Sequence, residues 1–165
     1  MMENIKIRKM RDSDILQVIK IEEESFEYTY PPLLIMQVFS SFPEGFLVAE
    51  DENTKKLVGY IIGIIEWGHG HIVSIATSKE YRNKGIGTAL LKKLEDTLFK
   101  KYNVGYIALE VRFNNVDARK FYYKRGYMDK RLLPRYYEDG TDAILMVKKN
   151  PYIKLPDTPV IVTMW

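Results

Sequence analysis

The 165-residue chain predicts a single α/β domain: a mixed central sheet of about seven strands with helices on both faces. Three observations predict it. Short β-branched segments alternate or run apolar on both sides of segments with helical period. The strand-type segments outnumber the helical ones and come in consecutive runs, which an all-parallel sheet cannot accommodate. A length of this order suits one core, with residues 1–150 as the domain and 151–165 as an extension.

Ile5 and Ile7 alternate with polar neighbours as a first strand. Asp12 or Ser13 can cap a helix whose apolar face is Ile15, Leu16, Ile19 and Phe26. Glu22, Glu23 and Glu24 fall near its C-terminal end, where the helix dipole disfavours negative charge, which points to an early stop or a use for the acids. Pro31-Pro32 breaks the chain before a short helix over 33–39. Strands follow at 46–49, 57–66 and 71–77. The period turns helical over 85–101, with Ile86, Leu90, Leu91, Leu94 and Leu98 on one face. A strand at 106–111 precedes a helix at 116–125, capped by Asn114 or Asn115 and closed by Gly126. Segments 127–132 and 143–147 make a final hairpin. Pro151, Pro156 and Pro159 make residues 151–165 an extended tail.

Composition excludes several function classes. The chain has no cysteine, hence no disulfide framework, thiol nucleophile or thiolate metal site. Its two histidines, His69 and His71, leave no His-rich metal site, and no metal is expected. No run approaches the ~18–20 apolar residues of a membrane span, and the N-terminal M-M-E-N-I-K-I-R lacks the apolar core of a signal peptide. The expectation is a soluble cytoplasmic protein with no membrane partner. The net charge of +3 conceals an asymmetry: residues 1–80 carry 8 Lys/Arg and 13 Asp/Glu, residues 81–165 carry 17 and 9. That split suits an anionic ligand on the second half and a cationic one on the first, or an ordinary solvated surface. It suits a specific nucleic-acid module poorly, because the basic residues are scattered without a recognition helix or stacking platform.

The chemistry concentrates where strand 71–77 turns into Arg82-Asn83-Lys84-Gly85-Ile86-Gly87-Thr88 and a helix. Small residues at such a turn let backbone N–H groups converge at the positive end of the helix dipole, an arrangement that binds phosphate. It is not a Walker A loop, since no Gly-Lys-Ser/Thr follows. Nor is it a dinucleotide fingerprint, since Leu90 stands at the third glycine position.

Arg82-x-x-Gly85-x-Gly87 after a strand resembles the acetyl-CoA pyrophosphate loop of the GNAT N-acetyltransferase superfamily, whose element order the chain matches from about residue 3 to residue 149. A second family motif is present: Leu109-Glu110-Val111-Arg112, then Asn115 and a helix carrying Phe121-Tyr122 before Gly126-Tyr127. Within the superfamily the sequence is most similar to the protein N-terminal (Nα-) acetyltransferases, the RimI-like bacterial enzymes and the archaeal and eukaryotic catalytic subunits. The residues that carry this are H-I-V-S-I-A at 71–76, L-E-V-R-F-N-N at 109–115 and Tyr136-Tyr137-Glu138-Asp139-Gly140-Thr141-Asp142-Ala143. The match departs around residues 24–31.

The resemblance implies central parallel strands that splay around acetyl-CoA, and transfer of its acetyl group by direct attack of a protein N-terminal α-amine in a ternary complex. It places the thioester carbonyl on a backbone N–H among Ile75, Ala76 and Thr77, and the pyrophosphate on Arg82, Asn83, Lys84, Gly85, Ile86, Gly87 and Thr88. Asn115, with Tyr122, Tyr123 and Lys124, would line the rest of the cofactor. Glu110 is the implied base, with His71 and Glu27 as further candidates, and Tyr122 the acid for the departing thiolate. The peptide would meet Tyr30, Tyr136 and Tyr137 together with Glu27, His71 and Glu110. A ribosome or an auxiliary subunit fits the resemblance as a partner. The same fold admits an alternative, transfer to a small amine or a lysine side chain, in which Tyr136 and Tyr137 have no role.

Overall fold

The computed structural model describes residues 4–153. Of the tail 151–165, expected to be extended, residues 151–153 form a turn, with the Tyr152 N–H donating to Asn150 Oδ1 at 2.9 Å, and 154–165 lie outside the described residues. The chain forms β1 (Ile5–Lys9), α1 (Ile15–Ser25), α2 (Pro32–Ser41), β2 (Phe46–Asp51), β3 (Leu57–Glu66), β4 (His69–Thr77), α3 (Ile86–Asp96), β5 (Tyr106–Arg112), α4 (Val116–Lys124), β6 (Met128–Leu133) and β7 (Ala143–Lys149). One seven-stranded sheet has the order β1-β2-β3-β4-β5-β7-β6. Every neighbouring pair is antiparallel except β4 with β5.

Helices cover both faces. On one, Leu90, Leu91 and Leu94 of α3 pack with Ile61, Ile72, Ile107 and Leu109 of the sheet, each buried leucine contributing about 1.5–3 kcal/mol. On the other, Val18 and Ile21 of α1 and Ile35 of α2 pack on Val48, Tyr60, Ile62 and Ala76.

Three local details differ from the sequence expectation. In α1 the buried residues are Val18, Ile21 and Glu22; Ile15 and Ile19 lie at the margin, and Leu16 and Phe26 are exposed. A 3-10 turn over Asp12–Asp14 leads into the helix. Neither Asp12 nor Ser13 caps it: the Asp14 carboxylate accepts from the Arg11 N–H at 2.7 Å and pairs with Arg8 at 2.7 Å. Beyond Asp96 the α3 winding widens to a π-turn over Thr97–Lys101, which buries both Leu98 and Phe99. Asn115 is the α4 cap, its Oδ1 accepting from the Ala118 N–H at 3.1 Å.

The feature that positions the site is a β-bulge in β4. Ile62 faces Ser74 and Gly63 faces Ile72, so Val73 is an extra residue. Ile72 packs against the α3 side before the bulge, and Ile75 packs there after it, while Ser74 and Ala76 turn to α1 and β3. A bulge bends its strand and steepens the twist. Accordingly β4 and β5 pair only at Gly70↔Ile107 and His71↔Ala108 before parting. The Ser78 N–H bonds to Val58 on β3, so strand alternation turns the N–H groups of Ile75 and Thr77 into the gap. Two side chains reach the carbonyls there: the Tyr30 hydroxyl donates to Val73 O at 3.3 Å, and Arg82 Nε donates to Thr77 O at 3.0 Å.

Candidate active site

At the wide end of the gap, Asn83 and Gly85 adopt φ of 62° and 85°, a left-handed geometry that asparagine and glycine tolerate. Gly85 starts α3 with no side-chain cap, leaving the first N–H groups of the helix for a ligand. Lys84 lies over the Tyr81 ring at 5.1 Å, and Tyr81 is tied through its hydroxyl to Asp51 at 2.8 Å. Thr88 Oγ1 accepts from Arg125, whose guanidinium sits 3.8 Å from the Phe121 ring. The loop is therefore braced from β2 and α4 while its amides stay open, which suits the phosphates of acetyl-CoA. The paired Arg125 also brings one more cation to this end.

At the narrow end, register builds a three-residue cluster. His71 stands opposite Ala108 in the last paired position of β4 and β5. Its ring therefore shares a face with Glu110, two residues on, and the small Ala108 leaves room between them. His71 Nε2 lies 2.6 Å from Glu110 Oε2. On the other flank Ile64 faces His71 across β3, so Glu66 is the diagonal neighbour; its Oε1 is 3.1 Å from His71 Nδ1, but without the alignment of a hydrogen bond. Burial opposes protonation of His71, yet the hydrogen bond and charge of Glu110, with the charge of Glu66, outweigh it and raise the imidazole pKa.

Three phenols surround this pair. Burial, with the negative charges of Glu110 and Glu22, raises the Tyr30 pKa. Tyr136 is pushed up to about 12 by burial and by the charge of Glu110. Tyr137 is also pushed up to about 12, by burial against the opposing effect of the Arg112 cation. Tyr136 and Tyr137 meet edge to face at 5.0 Å. The Tyr-Tyr-x-Asp-Gly-x-Asp segment holds its own shape: Asp139 accepts from the Thr141 N–H at 3.0 Å, and Asp142 from the Arg135 N–H at 2.8 Å. Arg112 fixes the loop to β5 by pairing with Asp139 at 2.9 Å and lying 4.1 Å from the Tyr137 ring. The same guanidinium is 5.4 Å from the ring of Tyr28, joining the α1–α2 loop to the β6–β7 loop.

His71, Glu110, Tyr30, Tyr136 and Tyr137 thus come together. Tyr122 of α4 is buried in the core cluster that includes the α3 leucines and is edge to face with Tyr127 at 5.6 Å. Burial and the neighbouring Tyr137 raise its pKa, and its hydroxyl makes no hydrogen bond among the described residues. Other predicted residues stand apart. Glu27 is exposed on the α1–α2 loop, with no hydrogen bond or ion pair to the cluster. The Tyr123 hydroxyl is engaged with Asp129 at 2.7 Å, and Lys124 is exposed. Asn115 spends one oxygen on the α4 cap. Two carboxylates escaped the sequence reading as site residues: Glu66, legible only from the β3–β4 register, and Glu22, whose acidic run gave a signal without saying which residue turns inward.

The acetyltransferase (GNAT) family profile matches residues 15–127. The chain is 52% identical over 159 residues to an uncharacterized N-acetyltransferase of Methanocaldococcus jannaschii, covering 96% of this chain and 99% of that one. It is 37% identical over 153 residues to an N-alpha-acetyltransferase of Sulfurisphaera tokodaii, covering 86% and 90%. Naa20 of Chaetomium thermophilum, solved with a bisubstrate analogue, superposes with a TM-score of 0.80 at 28% identity, covering 87% of this chain and 86% of that one. With the splayed strands, the open phosphate loop and this likeness together, the chain belongs to the GNAT acetyltransferase family.

Proposed function

We propose that the protein transfers the acetyl group of acetyl-CoA to the α-amino group of protein N-termini. The observation that carries this reading is the His71–Glu110 pair at the fork of β4 and β5, walled by Tyr30, Tyr136 and Tyr137. The N-alpha-acetyltransferase relative supports it.

An α-amine has a pKa of about 7.7–8, so near pH 7 roughly one in ten is already neutral and needs only modest base assistance. The gap aligns it with the thioester, whose carbonyl takes the free N–H of Ile75 or Thr77. As the C–N bond forms and the C–S bond breaks, the ammonium proton passes to the His71–Glu110 pair. Tyr122, kept neutral by burial, gives its proton to the sulfur. Attack is direct, with both substrates bound together; the chain has no cysteine thiol to carry the acetyl group. Gly85 to Thr88 and Arg82 hold the diphosphate, with Asn115 beside the pantetheine arm.

A peptide library varied at its first two residues tests the reaction: acetyl is expected on the α-amine, located by fragmentation mass spectrometry, and not on lysine or polyamines. The double variant Tyr136→Ala, Tyr137→Phe should lower kcat/KM for peptides about 100-fold; full peptide activity in that variant favours the small-amine alternative. Gly87→Val is expected to raise the acetyl-CoA KM about 10-fold, because the side chain covers open helix-start amides. A Cβ there meets Phe121 only at 3.5 Å, ordinary contact, so the thermal midpoint should be retained. An unchanged KM would remove this loop from the diphosphate site.

The proposal extends to the cytoplasm, where newly made chains and acetyl-CoA meet, and to a ribosome or auxiliary subunit as partner. What supports a partner is the exposed apolar set Leu16, Leu33 and Met36 on α1 and α2.

A further inference from the structure

Among the described residues Asp14, Glu22, Asp51 and Glu95 are buried carboxyls outside the reacting pair, and Glu22 is the one that reaches Ser74 beside the gap. Glu22, in the last turn of α1, is 2% exposed, where burial and the helix dipole both oppose a charge. Burial raises its pKa, against the opposing effect of the nearby polar groups of Tyr30, Ser74 and Tyr60. Ser74 Oγ lies 3.5 Å from Glu22 Oε1 and 2.9 Å from the Tyr60 hydroxyl. Ser74 immediately follows the bulge residue, and Tyr30 closes the α1–α2 loop. Tyr30 in turn donates its hydroxyl to Val73 O in the gap and lies within the influence of the charges of Glu110 and Glu22. The carboxyl therefore ties the last turn of α1, where the acceptor-side loop begins, to β4 at the point where the strands part. The loop's other ties are the Phe26 N–H on Glu22 O at 3.0 Å and the Tyr28 ring facing Arg112.

We propose that Glu22 is a positioning residue for the acceptor: through Ser74 it holds the last turn of α1, from which the 26–31 loop departs, against β4, and so sets where the peptide amine sits relative to Glu110, without touching substrate itself. This deepens the α-amine reading and rests on it only for the kinetic test.

Glu22→Met keeps the volume but removes the acceptor, and Glu22→Gln keeps an acceptor without the charge. For Glu22→Met we expect a peptide KM about 10-fold higher, with kcat and the acetyl-CoA KM within about 2-fold of wild type; Glu22→Gln should return the peptide KM to within about 3-fold. Amide hydrogen exchange gives an arm that needs no substrate. Exchange across 26–31 should accelerate in Glu22→Met and not in Glu22→Gln, while β7 amides keep their protection. Loop exchange in Glu22→Met equal to wild type, or a Gln variant as impaired as the Met variant, would overturn the proposal. A wild-type protein that leaves peptides unmodified would refute the α-amine reading, and the exchange result would still decide the role of Glu22.

Discussion

Glu110→Gln is expected to lower kcat for peptide acetylation by about 10²–10³-fold, within the range that a positioned base contributes, while the acetyl-CoA KM stays near wild type. His71→Gln should lower it too, and the double variant should lose far less than the product of the two, because residues that move one proton act as a unit. The pH profile gives a sharper signature. Activity that needs neutral His71 rises with pH through its pKa, which lies above the ordinary 6.5. Glu110→Gln removes the charge that raises that pKa and leaves burial, which lowers it, opposed by Glu66; the rising limb should therefore move to lower pH. A limb that stays in place would mean that His71 is not the group being titrated. Stability follows the same linkage. With the folded-state pKa raised, the contribution of His71 is full below the unfolded value near 6.5 and is lost as pH rises through the folded value. The thermal advantage of wild type over Glu110→Gln should accordingly shrink between acidic and mildly alkaline buffer.

The second large effect is expected at Tyr122. Tyr122→Phe removes a hydroxyl that has no hydrogen-bond partner among the described residues, from a phenol that burial keeps protonated. The fold should barely notice, and the thermal midpoint should stay within a few degrees, since no protein hydrogen bond is broken. The kcat should fall about 100-fold, the scale of a general acid, with both KM values within about 3-fold. An unchanged kcat would assign Tyr122 to the core alone, as its packing against Tyr127 also allows, and leave the thiolate to be protonated by solvent.

The two halves of the site differed in how far they could be read from sequence. The phosphate loop was legible because its determinants are local: Gly85 is required where φ is positive, and helix-start amides need nothing distant to converge. The β6–β7 loop was legible for the same reason, with Asp139, Thr141 and Asp142 making their bonds within a few residues. Leu16 lies off the arc of α1 that faces the sheet, which Val18, Ile21 and Glu22 occupy, and Phe26 lies past the helix end. Glu27 drew attention by its place in the loop, yet the acid that turns inward is Glu22.

By itself the sequence determined the element order, the mixed sheet, the phosphate loop and the tyrosine loop, all products of short-range patterning and turn chemistry. Only the tertiary structure decided that His71 meets Glu110, 39 residues away, that Glu66 flanks the same ring, and that Glu22 is buried against Ser74. These contacts depend on strand register and on one extra residue at Val73. A bulge redirects every side chain that follows it, and its position is set by how β3 and β4 pair rather than by any local signal in either strand.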